Sequence, residues 1–485
     1  MLNTIKRLTK HSFVYGIGNL AVLLPGFILV PVYTRRLATE EYGVMSLAMV
    51  FAGMLAFVYE LGMVSALSRQ YYEYKDGRSR NRVVSTAFIF LFIWAVIVTL
   101  GLSCFSKPLS KMLFHDDRFQ DIVSISLLYI FFSALIYVPS TTLRVEERSG
   151  LFVTLSMLRV TLTVLLTVMF LSFAGKPLSN VFWAMLWATA VSAAIYIFSI
   201  YKSIDIAAFS SIDLVQMLKF GLAFFPAAIF TWIIDYSNRY ILSLYADMGQ
   251  VGVYSLGQKI SQVAIILIKA FHLACVPIMF SLVAREDARR IFSGIFTYFI
   301  FVLSAFVLAL CLYSKELVLL LSNAAYLEAY KVIPVMAVSA IGYGAYLYFV
   351  TGLSIAKKVI NQPVILAVIA AVNIPLNIAL IKRTGMMGAA LATFLTYVIL
   401  VGCTYFFAQR HYRIEYENKR LIKIFLNFAV IYSASILIRL GFPAANAWLF
   451  NPFLLAMFFI LLYVTGFFKR SEIDFLVNRL SIKRG

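Results

Sequence analysis

Residues 83–104 read VVSTAFIFLFIWAVIVTLGLSC, a run without one charged side chain. As a helix rising 1.5 Å per residue it is about 33 Å long, enough to cross the hydrocarbon core of a bilayer. It shows no period-two alternation of apolar and polar residues, so it predicts a membrane helix and not a barrel strand. In lipid each backbone N–H and C=O needs a partner within the protein, and a helix supplies these internally.

Similar runs recur along the chain. Spans are expected near 12–33, 43–66, 83–104, 121–142, 151–174, 178–200, 217–238, 250–274, 290–313, 332–354, 362–381, 386–408, 421–440 and 447–468. The fold class is therefore an all-α polytopic membrane protein with about fourteen transmembrane helices and no sizeable soluble domain. Hydrophobic residues make up 62% of the chain and charged residues 13%, too little charge to cover a water-soluble surface. The first apolar run, from near His11, is too long for a signal-peptide core and lacks a small-residue cleavage site.

A net charge of +20 invites a nucleic-acid reading, but the placement of the charge argues against it. Alternate loops are rich in Lys and Arg: Lys6, Arg7 and Lys10; Arg69 to Arg82; Arg285, Arg289 and Arg290; Lys357 and Lys358; Arg410 to Lys423; and the tail after Lys469. By the positive-inside rule those loops and both termini face the cytoplasm. An anionic leaflet would also attract them, so membrane lipids are expected partners and nucleic acid is not. Cys104, Cys275, Cys311 and Cys403 lie in or at the ends of spans, without metal-ligand spacing. HExxH and GxSxG motifs, a phosphate loop and paired external carboxylates are absent, so neither an enzyme nor a metal or organic cofactor is expected.

The first and seventh spans resemble each other. One carries Tyr15-Gly16, Pro25, Arg35-Arg36 and then Gly43-Val44-Met45-Ser46-Leu47; the other carries Phe220-Gly221, Pro226, Arg239 and then Gly252-Val253-Tyr254-Ser255-Leu256. Six spans separate the copies, so both halves cross the membrane in the same sense, a parallel repeat known among secondary transporters. The expected domains are an N-lobe over 1–205, a C-lobe over 206–410, and an appended pair of spans with a cytoplasmic tail over 411–485. A cavity is expected between the lobes, with Pro25 and Pro226 as candidate gating kinks, or as static ones.

Charges inside spans are costly, so each needs a reason. The candidates are Glu60, Arg159, Asp235, Arg239, Lys259 and Lys269, with His272 nearby and Arg36 at the end of the first span. Asp235 and Arg239 stand four apart and can pair along one face. Lys259 lies about 13 Å into its span, and Arg159 is similarly deep. Lys269 sits near a helix end, where snorkelling to the headgroups is the simpler reading. The basic excess makes Arg239, Lys259, Arg159, Lys269 and Arg36 candidate ligands for an anion. Glu60 and Asp235 are candidates for ion coupling or for pairing with those cations.

Four segments together resemble the polysaccharide-repeat (O-antigen type) flippases of the multidrug/oligosaccharidyl-lipid/polysaccharide exporter superfamily. They are Glu60-Leu61-Gly62-Met63 with Arg69-Gln70-Tyr71-Tyr72; Asn238-Arg239-Tyr240 with Val251-Gly252-Val253; Thr351-Gly352-Leu353-Ser354; and Asn373-Ile374-Pro375 with Gly385-Met386-Met387-Gly388. The resemblance runs from about residue 10 to about residue 409. It implies a two-lobed, fourteen-helix exporter that opens alternately to each side of a prokaryotic plasma (inner) membrane. Its cargo would be an undecaprenyl-pyrophosphate-linked oligosaccharide for O-antigen or lipopolysaccharide synthesis. Proton or sodium coupling, and partnership with a glycan polymerase and chain-length machinery, are further implications. The chain departs from the family pattern at Asn238, where Asp is frequent, and it lacks the first-span acid of cation-coupled drug exporters. A related exporter for a peptidoglycan precursor, teichoic-type polymer or drug is the alternative, and a membrane glycan polymerase a more distant one.

Overall fold

The computed structural model describes residues 25–173, 175–358, 361–442 and 446–469. Among them all regular structure is helical, and thirteen helices are long and apolar enough to cross a membrane. Most of the expected first span lies outside the described residues; its end is α1 (Pro25–Ile28) and α2 (Val30–Arg36). The second span is α3 (Thr39–Glu60) with α4 (Met63–Glu73), and then come α5 (Gly77–Ser103), α6 (Ser106–Phe114), α7 (Gln120–Val145), α8 (Ser149–Ser172) and α9 (Pro177–Ser199). The seventh span is α10 (Ser211–Leu222) with α11 (Phe225–Ser243), and the eighth α12 (Met248–Ser261) with α13 (Val263–Leu282). The remainder are α14 (Ala288–Leu312), α15 (Ser314–Leu321), α16 (Ile333–Ile355), α17 (Asn361–Thr384), α18 (Met386–His411), α19 (Asn418–Gly441) and α20 (Ala447–Val464).

Two of these spans are interrupted for visible reasons. After Glu60 the backbone turns left-handed at Leu61 (φ 48°) and Gly62 (φ 70°), and a new helix begins at Met63. A Cβ on Gly62 would stand 2.3 Å from the Gly221 carbonyl oxygen, and one on Gly221 would stand 2.6 Å from that of Leu61. The two backbones touch there, which only glycine permits. The seventh span pauses at Ala223 and Phe224. Pro226 was expected to kink a continuous helix; instead it sits in the first turn of α11, where the missing N–H would have no intrahelical partner anyway.

The described residues gather into two compact units. The first lies within Met1–Leu256, Leu320–Glu328 and Pro363–Thr396; the second within Gly257–Leu319, Ala329–Gln362 and Tyr397–Gly485. These units follow contacts, whereas the lobes expected at 1–205 and 206–410 follow the repeat, so the two divisions do not coincide. In the first unit α7 is the central helix, packed on α9, α5, α3 and α8. Met63, Leu67, Val84, Leu135, Phe152 and Tyr196 meet in its core. In the second unit α14 plays that part, against α16, α19, α13 and α20. The last helices carry exposed apolar side chains, among them Leu437, Leu440, Phe453 and Tyr463. The third and ninth spans are each followed by a short helix and a 3-10 turn, α6 with Asp117–Phe119 and α15 with Ala324–Lys331.

Candidate functional site

Within the first unit the structure brings together charges far apart in sequence. Glu60 ends α3, Arg144 is in the last turn of α7, and Arg159 lies within α8; all three are partly buried. Glu60 is within electrostatic reach of Arg144. Tyr137 of α7 is within reach of both Glu60 and Arg159, and Tyr196 of α9 is within reach of both arginines. Arg159 Nη2 donates to Ser133 Oγ at 3.4 Å, and Arg144 Nη2 to Thr141 Oγ1 at 3.0 Å. The Arg144 guanidinium also stands 5.8 Å from the Phe152 ring centroid. Two arginines and one glutamate thus share two tyrosines in a membrane-spanning bundle, where charge is expensive without a functional or structural return.

Arg144 was not among the residues singled out from sequence. It lies past the end of the expected span at 142, where a basic residue reads as a topology signal. Glu60 and Arg159 were candidates, but nothing in the sequence brings them together with Arg144.

A second polar group centres on α11. Arg239 is 8% exposed; its Nη1 donates to Ser46 Oγ at 3.1 Å and its guanidinium stands 5.8 Å from the Tyr236 ring centroid. Tyr42 and Tyr254 are within its electrostatic reach. Beside it, Asn238 Nδ2 donates to Tyr254 OH (2.8 Å) and Thr393 Oγ1 (3.1 Å), and Ser237 Oγ donates to Asn373 Oδ1 (3.0 Å). Asn373 Nδ2 in turn donates to Thr396 Oγ1 at 2.9 Å. In lipid such side chains hydrogen-bond across helices and fix their register. Asp235 is partly buried on the same helix.

The other candidates lie elsewhere. Lys259 on α12 is partly buried and Lys269 on α13 exposed, both in the second unit; His272 Nε2 lies 3.4 Å from Thr351 Oγ1. Arg36 is exposed in the last turn of α2, a position that suits the helix dipole. The side chain of Pro25 lies outside the described residues.

Both ends of the second span are tied within the first unit. At one end the Asp213 side chain, 2% exposed, accepts from Arg82 Nε (2.8 Å), Tyr74 OH (2.9 Å) and Gln70 Nε2 (3.0 Å). At the other, Tyr326 OH donates to the Leu37 and Ala38 carbonyls (3.0 and 3.1 Å) and Asn323 Nδ2 to the Thr34 carbonyl (2.9 Å). A Cβ on Gly43 would there stand 2.0 Å from the Met248 carbonyl oxygen. Among the described residues no group of three or more His, Cys, Asp or Glu could hold a metal ion.

Residues 8–283 match the family described as polysaccharide biosynthesis protein. Two proteins of Haemophilus influenzae are similar. "Lsg locus putative protein 1" is 32% identical over 121 residues, 24% of this chain and 29% of its own length, so the chain spans well under two thirds of that relative. An "uncharacterized membrane protein" is 24% identical over 297 residues, 58% of this chain and 67% of its own. Among solved structures, the lipid II flippase MurJ in an inward closed conformation aligns at TM-score 0.75, with 16% identity and 93% and 98% of the two chains covered. An inward-facing multidrug resistance MATE family transporter of the MOP superfamily aligns at 0.67, with 14% identity and coverage of 81% and 94%. A MOP superfamily transporter from Pyrococcus furiosus aligns at 0.62, with 14% identity and coverage of 83% and 95%. The fold is that of these transporters, and with more than half its length matched the chain belongs to the polysaccharide biosynthesis protein family.

Proposed function

We propose that this protein is a flippase that carries a lipid-linked oligosaccharide, on an undecaprenyl pyrophosphate or similar anionic carrier, from the cytoplasmic to the outer leaflet of a prokaryotic plasma membrane. The observation that carries the reading is the gathering of Arg144, Arg159 and Glu60 about Tyr137 and Tyr196 within the first unit. A pyrophosphate crossing a low-dielectric region needs compensating cations, and arginine offers planar paired donors to phosphate. Arg239, Lys259, Lys269 and Arg36 are further candidate contacts. Glu60, and with it Asp235, is the candidate carrier of a coupling proton or sodium ion. The lobes 1–205 and 206–410 would rock about Pro25, Pro226 and the glycine crossing at Gly62 and Gly221, driven by unequal ligand affinity in the two states. The short helix and 3-10 turn that follow both the third and the ninth spans support that repeat. The distribution of Lys and Arg supports cytoplasmic termini. A glycan polymerase and chain-length machinery are the partners such a cargo would meet next.

The reading of a different cargo is favoured by one observation, the likeness to a flippase whose name specifies lipid II. Deleting the gene separates the two. Accumulation of a lipid-linked glycan in the inner leaflet, with peptidoglycan synthesis unimpaired, supports the first. A rise in drug sensitivity, or a block in peptidoglycan synthesis, without glycan accumulation refutes it.

A further inference from the structure

The second unit holds a recess of about 410 Å³ at the end of the bundle where α14 and α19 finish and α16 and α20 begin. Three basic side chains line it, Lys315, Lys331 and Arg439, against one acid, Glu316. Arg439 is already committed: its Nη2 donates to the Leu312 carbonyl and lies 3.3 Å from Glu316 Oε2. Asn451 Nδ2 donates to the same carbonyl at 2.9 Å, so α14, α19 and α20 are knotted there and the floor of the recess is fixed. Lys315 and Lys331 are exposed, so the lining presents three cations to one carboxylate.

The walls are of another character. Ile436 and Leu440 of α19 line the recess, Leu440 is 72% exposed, and Leu449 and Phe453, four apart on α20, are exposed as well. Tyr313 and Trp448 lie 5.3 Å apart between centroids, tilted by 42°, at the same end of the bundle, the kind of pair found at headgroup level. A recess lined by three cations and one carboxylate at headgroup depth, on helices that carry exposed apolar side chains, fits one molecule: a lipid with an anionic head and acyl chains. The volume suits a small headgroup and is too small for a glycan of several sugars.

We propose that this recess seats the phosphate headgroup of an anionic phospholipid, with an acyl chain lying along α20. Its assignment to the outer leaflet rests on the orientation proposed above; the binding itself does not. The lipid would brace the appended pair α19 and α20 against α14 and α16, independently of the cargo.

The test uses the full chain in nanodiscs of phosphatidylcholine with a minor fraction of phosphatidylglycerol, with retained lipid counted by native mass spectrometry. Wild type should retain phosphatidylglycerol in preference to phosphatidylcholine. Each lysine near a membrane surface is worth a factor of about five in affinity, so Lys315→Ala with Lys331→Ala should lower retention about 30-fold. Lys315→Arg with Lys331→Arg should keep it, and an unchanged Tm of both variants in pure phosphatidylcholine shows that folding is intact. Equal retention by wild type and the alanine variant overturns the proposal. So does displacement of the lipid by millimolar inorganic phosphate, which would make the recess a free-anion site. A protein that retains the lipid but moves no glycolipid would refute the proposed transport and leave this site standing.

Discussion

Removing the Asp213 carboxylate should loosen one end of the second span by an amount the structure allows one to work out. The carboxylate is buried and accepts from Gln70, Tyr74 and Arg82. A hydrogen bond to a charged group contributes about 1.5–3 kcal/mol. The three do not sum, because the Arg82 side chain is 38% exposed and its share is screened, and because Gln70 Nε2 has a second acceptor in Gln216 Oε1 at 3.1 Å. Asp213→Ala is therefore expected to cost about 3 kcal/mol, with Tyr74 losing its acceptor and the buried space left open. Arg82→Ala alone should cost about 1 kcal/mol, and the double variant about 1 kcal/mol less than the sum. Unfolding of the detergent-solubilised protein with rising SDS, run as a double-mutant cycle, reads these values. If Asp213→Ala lies within about 0.5 kcal/mol of wild type, or the cycle is additive within about 0.3 kcal/mol, the knot does not hold this end closed and the reasoning fails.

Gly62→Ala places a Cβ 2.3 Å from the Gly221 carbonyl at a left-handed φ, so strain and overpacking together should cost about 2–4 kcal/mol and slow export; an unchanged Tm and export rate would contradict the crossing. Arg239→Ala should reduce glycan export at least ten-fold with membrane levels unchanged, scored by surface glycan against immunoblot; full export by Arg239→Ala with Lys259→Ala would remove both from the binding path. Burial raises the Glu417 carboxyl, but Lys469, Thr297 and Arg420 outweigh it and hold it below its ordinary value. Its ties to Arg420 and Lys469 should thus persist as pH falls through the ordinary Glu range near ~4.3 and be lost only below it, read by hydrogen exchange around residues 466–469. Glu417→Gln should abolish that pH dependence.

Most of the architecture was legible because lipid imposes it: a run such as residues 83–104 has few ways to satisfy its backbone other than as a helix. The helix breaks were less legible. Pro226 signalled one, but only the structure puts the proline at the start of α11 and opens the helix at Ala223 and Phe224. The break at Gly62 fell inside the expected span 43–66, because its reason is the Gly221 backbone, 159 positions away. The site was half readable. Glu60 and Arg159 stand out as charges in apolar runs, whereas Arg144 and Asp213 lie near span ends, where charge is ordinary and a buried partner leaves no local trace. Arg82 reads as one of a basic cluster, and its tie to Asp213 appears only once α5 and α10 meet.

Whether the chain moves a lipid-linked glycan with help from Arg144 and Arg159 can be measured directly. The direct measurement reconstitutes the protein into liposomes carrying undecaprenyl-pyrophosphate oligosaccharide and follows its exposure on the opposite face with a membrane-impermeant glycan probe. Wild type should expose cargo well above protein-free liposomes, and Arg144→Gln with Arg159→Gln should lower the rate at least ten-fold at equal incorporation. No transfer by wild type under either sign of ion gradient, or equal rates for wild type and the double variant, would contradict it.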